Sequence, residues 1–318
     1  MASPAIPPLV FPRRLPQSPA PYLFLLPALI TLVVLVVYPA FYTLYLSFTN
    51  YNLFHFNHFS IVGFRNYYDI LNPSGLFFQD FTPVFIWTVA FALSTAILNY
   101  VVGFLLAVVL NNPRIPERSV YRTLLIVPYA VPGVITTLIW AGLLNQDFGA
   151  VDSLLTSLHL PSIPWLTDPS GARAAILLVN LWLSFPFNLI LCLGALQAIP
   201  ADLYEAATVD GASAFDKLRL LTLPLVFRIT SPQLVGAFSF NFMNFNIVYL
   251  LTAGGPPKVG GSGAAGETDV LASYVFNLTG TTHRYELAAT VGIVIFLIQA
   301  VLALIGFGLT GNLKGGER

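Results

Sequence analysis

The chain has 318 residues, of which 56% are hydrophobic and only 9% are charged, and its formal net charge at pH 7 is zero. A soluble domain carries about 25% charged residues, and a disordered chain needs low hydrophobicity and high net charge, so both classes are excluded. The balanced charge offers no field that would attract nucleic acid, and the single cysteine, Cys192, cannot form an internal disulfide. The composition therefore predicts an integral membrane protein.

Six apolar stretches are long enough to cross a bilayer, which requires about 20 mainly apolar residues. Their continuous hydrophobicity favours helices over the short alternating strands of a membrane barrel. The sequence thus predicts an all-α polytopic membrane protein whose residues 22–309 form one domain, between tails at 1–21 and 310–318. The six predicted transmembrane helices are approximately Tyr22–Phe48, Thr82–Leu110, Leu124–Leu144, Ala174–Leu196, Leu223–Leu251 and Leu287–Leu309.

Positive charge is distributed unevenly between the segments that join the predicted spans. Ten of the 14 Lys and Arg residues fall on the side that holds both termini, and four fall on the other. Because cytoplasmic segments are enriched in Lys and Arg, we expect both termini in the cytoplasm. The first apolar run is too long for a cleaved signal peptide, and the proline-rich tail before it is expected to be disordered.

The predicted spans contain no Asp or Glu, and Arg228 is their only charged residue. Buried ionisable groups mark proton relays and ion sites, so a proton-coupled transporter or pump is disfavoured, while sodium coupling through backbone carbonyls stays open. No phosphate-binding loop of the G-x-x-x-x-G-K-[ST] type occurs. His55 and His58 form an HxxH, but two ligands make a poor metal site. We therefore predict no metal site and no catalytic constellation.

Several neutral polar residues interrupt the predicted spans. Asn180 and Ser184 are four residues apart and share one helix face, and Asn241 and Asn244 share another. Such amides either form hydrogen bonds between helices or line a passage for an uncharged, hydroxyl-rich ligand, since amides both donate and accept. Aromatic rings could pack on the apolar face of a sugar, although core packing explains most of them; the candidates are Trp182, Phe187, Phe242 and Phe245.

The third predicted span contains two prolines, Pro128 and Pro132, on either side of Tyr129. Proline inside a helix removes a backbone hydrogen bond and clashes with the preceding turn. Broken helices in transporters often flank the substrate site. Tyr129 is therefore a candidate pathway residue, and the alternative is a kink that serves packing alone.

Residues 199–224, on the predicted cytoplasmic side, read IPADLYEAATVDGASAFDKLRLLTLP. Asp202 with Glu205 predicts a capping box at the start of one short helix, and Ser213 with Asp216 predicts a second. Gly211 between them permits a bend that other residues resist. Two short helices joined by a bend could dock in a groove of a partner protein, or could form an interfacial linker lying on lipid.

Glu205-Ala206-Ala207, Gly211 and Leu223-Pro224 match the EAA loop of permease subunits of ATP-binding-cassette (ABC) importers. From the second span onward the chain resembles the larger membrane subunit of maltose/maltodextrin importers. The segments that carry this resemblance are Tyr121-Arg122, residues 128–132, Asn145-Gln146, Asp168-Pro169, Asn180, Trp182, Asn241-Phe242, Asn244-Phe245 and residues 250–256.

The resemblance implies a type I ABC-importer permease fold and a subunit that moves maltose, maltodextrin or a related α-glucoside across the bacterial inner membrane, without enzymatic activity of its own. It implies as partners a second homologous permease, two ATPase subunits that hold the ATP and Mg²⁺, and an external sugar-binding protein. Lipid would surround the chain, and nucleic acid has no role. From the residues alone, a secondary, ion-coupled transporter is the alternative function.

By position, the resemblance also implies two sets of functional residues. A sugar site midway through the membrane would comprise Tyr129, Asn180, Leu183, Ser184, Asn241 and Asn244. Contacts that couple the chain to the ATPase would involve Glu205, Ala206, Ala207, Asp210 and Gly211. The chain departs from the family at Gly133, Ser184 and Ala237, which leaves the identity of the sugar open. Its six spans and short 49–81 loop also differ from the eight spans and large external insertion of the best-known relatives.

Overall fold

The computed structural model describes residues 20–309, and within that range the chain is helical and contains no β-strand beyond two isolated bridges. Apart from residues 20 and 21, the predicted tails fall outside this range. The helices are α1 (Ala20–Leu32, continued by the π-helical Val33–Val37 and by Tyr38–Leu46), α2 (Arg65–Leu71), α3 (Leu76–Leu110), α4 (Arg118–Ala130), α5 (Gly133–Leu143), α6 (Ala150–Ser157), α7 (Pro169–Gln197), α8 (Ala201–Val209), α9 (Ala214–Asp216, continued by the π-helical Lys217–Thr222 and by Leu223–Phe242), α10 (Phe245–Thr252), α11 (Leu271–Gly280) and α12 (Tyr285–Leu309).

Six membrane passes are consistent with this architecture. Among the described residues, α1, α3, α7, α9 and α12 are each long and apolar enough to cross a membrane, and α4 with α5 makes a sixth, bent pass. The predicted all-α, six-helix membrane fold is thereby confirmed. Two of the predicted spans are nevertheless divided into separate helices, and both divisions matter for the candidate site.

The predicted span Leu124–Leu144 is not one helix. α4 ends at Ala130, α5 begins at Gly133, and their axes differ by 92°. Val131 is extended because the residue before a proline is disfavoured in the helical region, and Pro132 then stands at the N-cap of α5. Of the two prolines in this span, Pro132 therefore stands at a break, whereas Pro128 lies within α4.

The predicted span Leu223–Leu251 is also divided, a break that the apolar pattern does not predict. α9 ends at Phe242, and Asn244 becomes the N-cap of α10, with its side chain accepting a hydrogen bond from the Ile247 backbone N–H. Asn is among the best N-cap residues because its side chain replaces a missing backbone partner. A short amide within an apolar run can thus end one helix and start another.

The centre of the bundle is the parallel pair α3 and α7, which pack against each other along much of their length. Their contact faces are rich in small residues, and Ala92, Ala107, Ala172 and Ala175 are fully buried. The helices approach closely at Gly103, where a Cβ atom would lie only 2.5 Å from Asn188 Cβ. Small residues allow membrane helices to come this close, and the close approach brings the polar residues of the two helices within reach of each other.

Buried acids lie at the end of the bundle where α3 begins, which corrects the expectation of acid-free spans. α3 starts six residues earlier than predicted and includes the fully buried Asp80, and α12 starts two residues earlier and includes the buried Glu286. Glu286 Oε1 accepts hydrogen bonds from Arg284 Nε (2.6 Å) and Asn52 Nδ2 (3.2 Å). Buried charges are tolerated when they are paired in this way.

The loop between α10 and α11 (residues 253–270), part of which is rich in Gly and Pro, is hydrogen-bonded to α3 at several points. Asp80 accepts hydrogen bonds from the backbone N–H of Ser262 (2.9 Å) and from its hydroxyl, and Trp87 Nε1 donates to the Thr268 carbonyl (3.1 Å). Burial raises the pKa of Asp269, although Ser273 donates to its carboxylate. The loop thus covers the end of the bundle at which α3 begins.

Candidate functional site

A cleft of about 360 Å³ lies where the two helix breaks face α7. This volume falls in the range of small-molecule sites. In the part of the chain that the structure describes, its lining carries no charged side chain. The lining residues are Pro128, Tyr129, Val131, Gly133, Val134, Thr137, Asn180, Leu183, Ser184, Phe240, Asn244, Asn246, Ile247 and Leu250.

The break between α4 and α5 shapes one wall of this cleft. The first turn of α5 begins without a side-chain cap, so its backbone N–H groups are not taken up by an N-cap side chain. A side chain at Gly133 would meet no atom within 4 Å, so its absence widens the cleft. Tyr129, at the end of α4, is 55% exposed, and its ring lies 6.2 Å from that of Phe187.

Four asparagines form a hydrogen-bonded series, here called the amide ladder, that runs from α3 through α7 to α9 and α10. Asn99 Nδ2 donates to Asn180 Oδ1 (2.9 Å), and Asn180 Nδ2 donates to Asn241 Oδ1 (2.8 Å). Asn244 Nδ2 also donates to Asn241 Oδ1, over 3.4 Å. The first three amides are at most 3% exposed, so each is held by its neighbours rather than by water.

Five of the six residues predicted for the sugar site line the cleft together: Tyr129, Asn180, Leu183, Ser184 and Asn244. Asn241 is not among the lining residues; it is buried, and its Nδ2 donates to the Ala237 carbonyl (2.9 Å). Its position suits a support for Asn180 and Asn244 rather than a direct ligand contact.

Several residues that line the cleft are not among the predicted site residues. Asn246 and Thr137 contribute polar groups, and Phe240, which is 72% exposed, contributes an apolar ring. Asn246 follows Asn244 in the run NFMNFN, and this local density of amides was the available signal. Asn99 was visible only as one of several amides within spans, because its partner lies 81 residues away.

The aromatic residues considered as sugar platforms do not line the cleft. Phe242 is 1% exposed and packs against Phe238, with ring centroids 5.9 Å apart. Phe245 stacks on Tyr249 (4.9 Å) and also packs against Phe276. The rings that remain available to a ligand in the cleft belong to Tyr129 and Phe240.

Residues 199–224 fold as predicted into a helix, a bend and a second helix, with one difference at the first cap. α8 begins at Ala201 with Pro200 as its N-cap, so the predicted Asp202–Glu205 capping box is wrong and Asp202 lies within the first turn. The second capping box is confirmed between Ser213 and Asp216. Gly211 makes the bend with a φ of +79°, a region that favours glycine.

The 199–224 segment packs against the bundle on one side, where Tyr204 and Leu218 contact the buried core, and it is exposed on the other. Two hydrogen bonds hold the segment together internally. Tyr204 OH bonds Thr222 Oγ1 (3.0 Å), and Lys217 Nζ donates to Thr208 Oγ1 (2.8 Å) across the bend. Apolar residues on the other side are strongly exposed, with Val209 at 88% and Phe215 at 66%. Of the residues predicted to contact the ATPase, Ala207 is half-buried, and the exposed ones are Glu205, Ala206, Asp210 and Gly211.

The sequence model of the family described as "binding-protein-dependent transport system inner membrane component" matches residues 99–314, which contain α7, the 199–224 segment and both sides of the second helix break. The chain belongs to this family. The prediction of a transport component that is not an enzyme is confirmed by this membership, and the ion-coupled alternative finds no support in it.

Two relatives illustrate where this family member stands. The chain is 41% identical over 252 residues to the maltose/maltodextrin transport system permease protein MalF of Photorhabdus laumondii, a match that covers 78% of this chain and 48% of that protein. It is also 41% identical over 254 residues to the galactooligosaccharides transport system permease protein GanP of Bacillus subtilis, covering 80% and 60% respectively. The chain therefore spans about half the length of the curated relatives it matches.

A solved structure supports the fold of this family member over nearly its whole length. A bacterial ABC transporter for the import of the acidic polysaccharide alginate contains a chain with a TM-score of 0.74 and 22% identity, and the match covers 94% of this chain and 96% of that one. At this identity the likeness establishes the fold alone. The chain is thus a multi-pass inner-membrane protein with an ABC-transporter permease fold.

Metal binding is not indicated in residues 20–309, where no group of three or more His, Cys, Asp and Glu side chains is arranged to hold an ion. The HxxH histidine His55 has its Nδ1 within 3.0 Å of Asn52 Oδ1, which involves this ring in a local turn.

Proposed function

We propose that the chain is the permease subunit of an ABC importer that moves a neutral oligosaccharide of the maltose/maltodextrin class inward across the membrane. The observation that carries this proposal is the uncharged cleft at the two helix breaks, lined by amides, hydroxyls and a tyrosine. Broken membrane helices characteristically border transporter sites. The names of the 41% identical relatives, both transporters of oligosaccharides, support the same class of substrate.

The chemistry of the cleft suits a hydroxyl-rich ligand. Asn244, Asn246 and Ser184 offer both donors and acceptors, which sugar hydroxyls need. Tyr129 and Phe240 offer ring faces for the apolar side of a pyranose. Because no lining residue carries positive charge, the carboxylate of an acidic saccharide would be left unpaired, and burying an unpaired charge is unfavourable.

The proposal assigns the 199–224 segment to the cytoplasmic face, where its exposed apolar residues, Val209 and Phe215, would dock in a groove of an ATPase subunit. The bias of Lys and Arg toward this side supports the orientation, with both termini inside. ATP and Mg²⁺ would then be held by two ATPase subunits, and a second permease and an external sugar-binding protein would complete the importer. The family description, which specifies dependence on a binding protein, supports the last of these partners.

The substrate class is tested by uptake into proteoliposomes that contain the complete importer. A panel of maltose, longer glucans, trehalose, sucrose, a galactooligosaccharide and an acidic saccharide is compared at equal concentration. We expect ATP-driven uptake of one or more neutral members and none of the acidic one. Preferred uptake of the acidic saccharide would contradict the assignment.

The cleft itself is tested by the substitution Asn244→Leu. Removing one buried hydrogen bond to the sugar weakens binding by about 1–3 kcal/mol, so uptake at low sugar concentration should fall by roughly tenfold or more. The matched control is Gln197→Leu, an exposed position at the end of α7. Unchanged uptake by the Asn244 variant, with normal assembly, would remove this residue from the site.

The coupling role is tested by Glu205→Lys, which reverses an exposed charge on α8 without altering the core. We expect loss of sugar-stimulated ATP hydrolysis or of ATPase attachment. The control Asp147→Lys places the same reversal at an exposed position on the far end of the bundle. Normal assembly and normal stimulation in the Glu205 variant would contradict the proposed docking surface.

A further inference from the structure

We propose that Asn99 is a positioning residue that fixes which groups of Asn180 face the sugar, an inference that rests on the proposed function. Asn99 lies on α3, and no residue of α3 lines the cleft. Its side chain is 3% exposed and reaches the site only through Asn180, to which Nδ2 donates over 2.9 Å.

A backbone carbonyl at the Asn241 end of the amide ladder determines which amide donates and which accepts in each of its hydrogen bonds. Asn241 Nδ2 donates to the Ala237 carbonyl, which can only accept, so Asn241 must turn its Oδ1 toward Asn180. Asn180 must then present Nδ2 to Asn241 and Oδ1 to Asn99. Asn99 consequently has to act as the donor, and the amide assignments follow from the network rather than from free choice.

This arrangement determines which hydrogen-bond donors and acceptors of the Asn180 side chain remain for a ligand. Its Oδ1 accepts one hydrogen bond from Asn99, and its Nδ2 gives one hydrogen to Asn241. One N–H of Nδ2 and one lone pair of Oδ1 are not used by these two neighbours, and Asn180 itself lines the cleft although it is only 2% exposed. With both neighbours in place the amide plane cannot rotate, so these two groups point in fixed directions when the sugar arrives.

Asn99 also shows a sign of functional rather than purely structural use. Within the described residues its Oδ1 has no hydrogen-bond partner, although the side chain is buried. An unpaired buried acceptor is unfavourable, and a leucine of similar shape would avoid it. A residue that contributes a donor to Asn180 while leaving its own acceptor unpaired is consistent with a requirement for that one hydrogen bond.

The inference is tested with a double-mutant cycle read out at the cleft. Val134, which lines the cleft and is 49% exposed, is replaced by cysteine as a reporter, and the native Cys192 is fully buried. In the assembled importer, the maltose concentration that halves the rate of thiol modification is measured for Asn99→Leu, Asn180→Leu and the double variant. Thr95→Val, one turn earlier on α3, is the matched control, since Thr95 is buried but bonds only its own helix.

We expect Asn99→Leu and Asn180→Leu each to raise the half-protecting concentration about tenfold, the equivalent of one hydrogen bond, and the double variant to raise it no further. Thr95→Val should leave it unchanged. If Asn99→Leu does not assemble, Asn99→Ala removes the same donor without adding apolar bulk and is measured in the same way. Effects that multiply in the double variant, or protection that is normal without Asn99, would overturn the inference while leaving the proposed function standing. If maltose and the other neutral saccharides of the uptake panel fail to protect the Val134→Cys importer that carries no further substitution, both fall.

Discussion

At the scale of single residues, the close approach of α3 and α7 depends on the missing side chain of Gly103. A Cβ there would lie 2.5 Å from Asn188 Cβ and 2.8 Å from the Leu189 backbone nitrogen, so backbone must move to admit it. Because Asn99 precedes Gly103 by one helical turn, any separation at this point also stretches the amide ladder.

We therefore expect Gly103→Ala to lower thermal stability, by about 1–3 kcal/mol in the free energy of unfolding, and to weaken sugar binding with it. The matched control is Gly194→Ala on α7, where a new Cβ meets nothing within 4 Å and helix propensity improves. Thermal unfolding of both variants in detergent makes the comparison. Equal stability of the two variants would show that the close approach is not required.

Residue patterns in the sequence identified most of the cleft but not the depth of each side chain. The spacing of Asn180 and Ser184 places both on one helix face, and both line the cleft. The same reasoning placed Asn241 beside Asn244, yet only Asn244 reaches the cleft. Helical periodicity predicts which residues share a helix face only while the helix continues. The break at Met243 separates Asn241 from Asn244, so the two side chains no longer share a face, and the spacing of the residues does not predict this break.

At the scale of elements, the helix–bend–helix of residues 199–224 depends on Gly211 and on the capping box that follows. The positive φ of Gly211 is disfavoured for residues with a Cβ by about 1–2 kcal/mol, although a side chain there would meet no neighbour. The effect of a substitution is therefore conformational and not steric.

Gly211→Ala is expected to reduce sugar-stimulated ATP hydrolysis in the assembled importer because α8 and α9 no longer hold their mutual angle. Gly211→Asn should be milder, since asparagine tolerates the left-handed region. Gly280→Ala, at the end of α11 with open space and an ordinary φ, is the control. If the alanine variant retains full stimulation, the bend is not needed for coupling.

The loop between α10 and α11 is a second element with a testable anchor. Asp80→Ala removes the acceptor for the Ser262 backbone N–H and hydroxyl, so residues 257–266 should become more accessible. We expect limited proteolysis within this range to accelerate severalfold. Asp147→Ala removes an exposed acid from the turn that follows α5 and should leave the rate unchanged; equal rates in the two variants would show that Asp80 does not hold the loop.

Element boundaries show where sequence patterns fail. The prolines on either side of Tyr129 indicated an irregularity in the third pass, because proline lacks an N–H and restricts the residue before it. Nothing comparable marks residue 243, where an asparagine cap ends an apolar run. The apolar pattern also underestimates the length of α3. The first turns of this helix contain Asp80, which is buried and accepts a hydrogen bond from Ser262, whereas hydropathy assigns an acidic residue to the surface.

At the scale of the whole molecule, transmembrane helices connect the uncharged cleft with the exposed 199–224 segment. α7 lines the cleft with Asn180 and Ser184 and leads through Pro200 directly into α8, while α9 leads from the bend back to Asn241. A movement of the segment would therefore reach the cleft through continuous helices. Composition and pattern sufficed for the six-pass class, whereas the bend of 92° in the third pass required the structure.

The central claim, that ATP hydrolysed on other subunits moves a neutral sugar through this chain, is tested most directly by labelled maltose uptake in proteoliposomes. The chain is reconstituted alone and together with its second permease, the ATPase subunits and the binding protein, with either ATP or an ion gradient as the energy source. We predict uptake only by the complete assembly, only with ATP, and without effect of ionophores. Uptake by the chain alone under an ion gradient would contradict the claim.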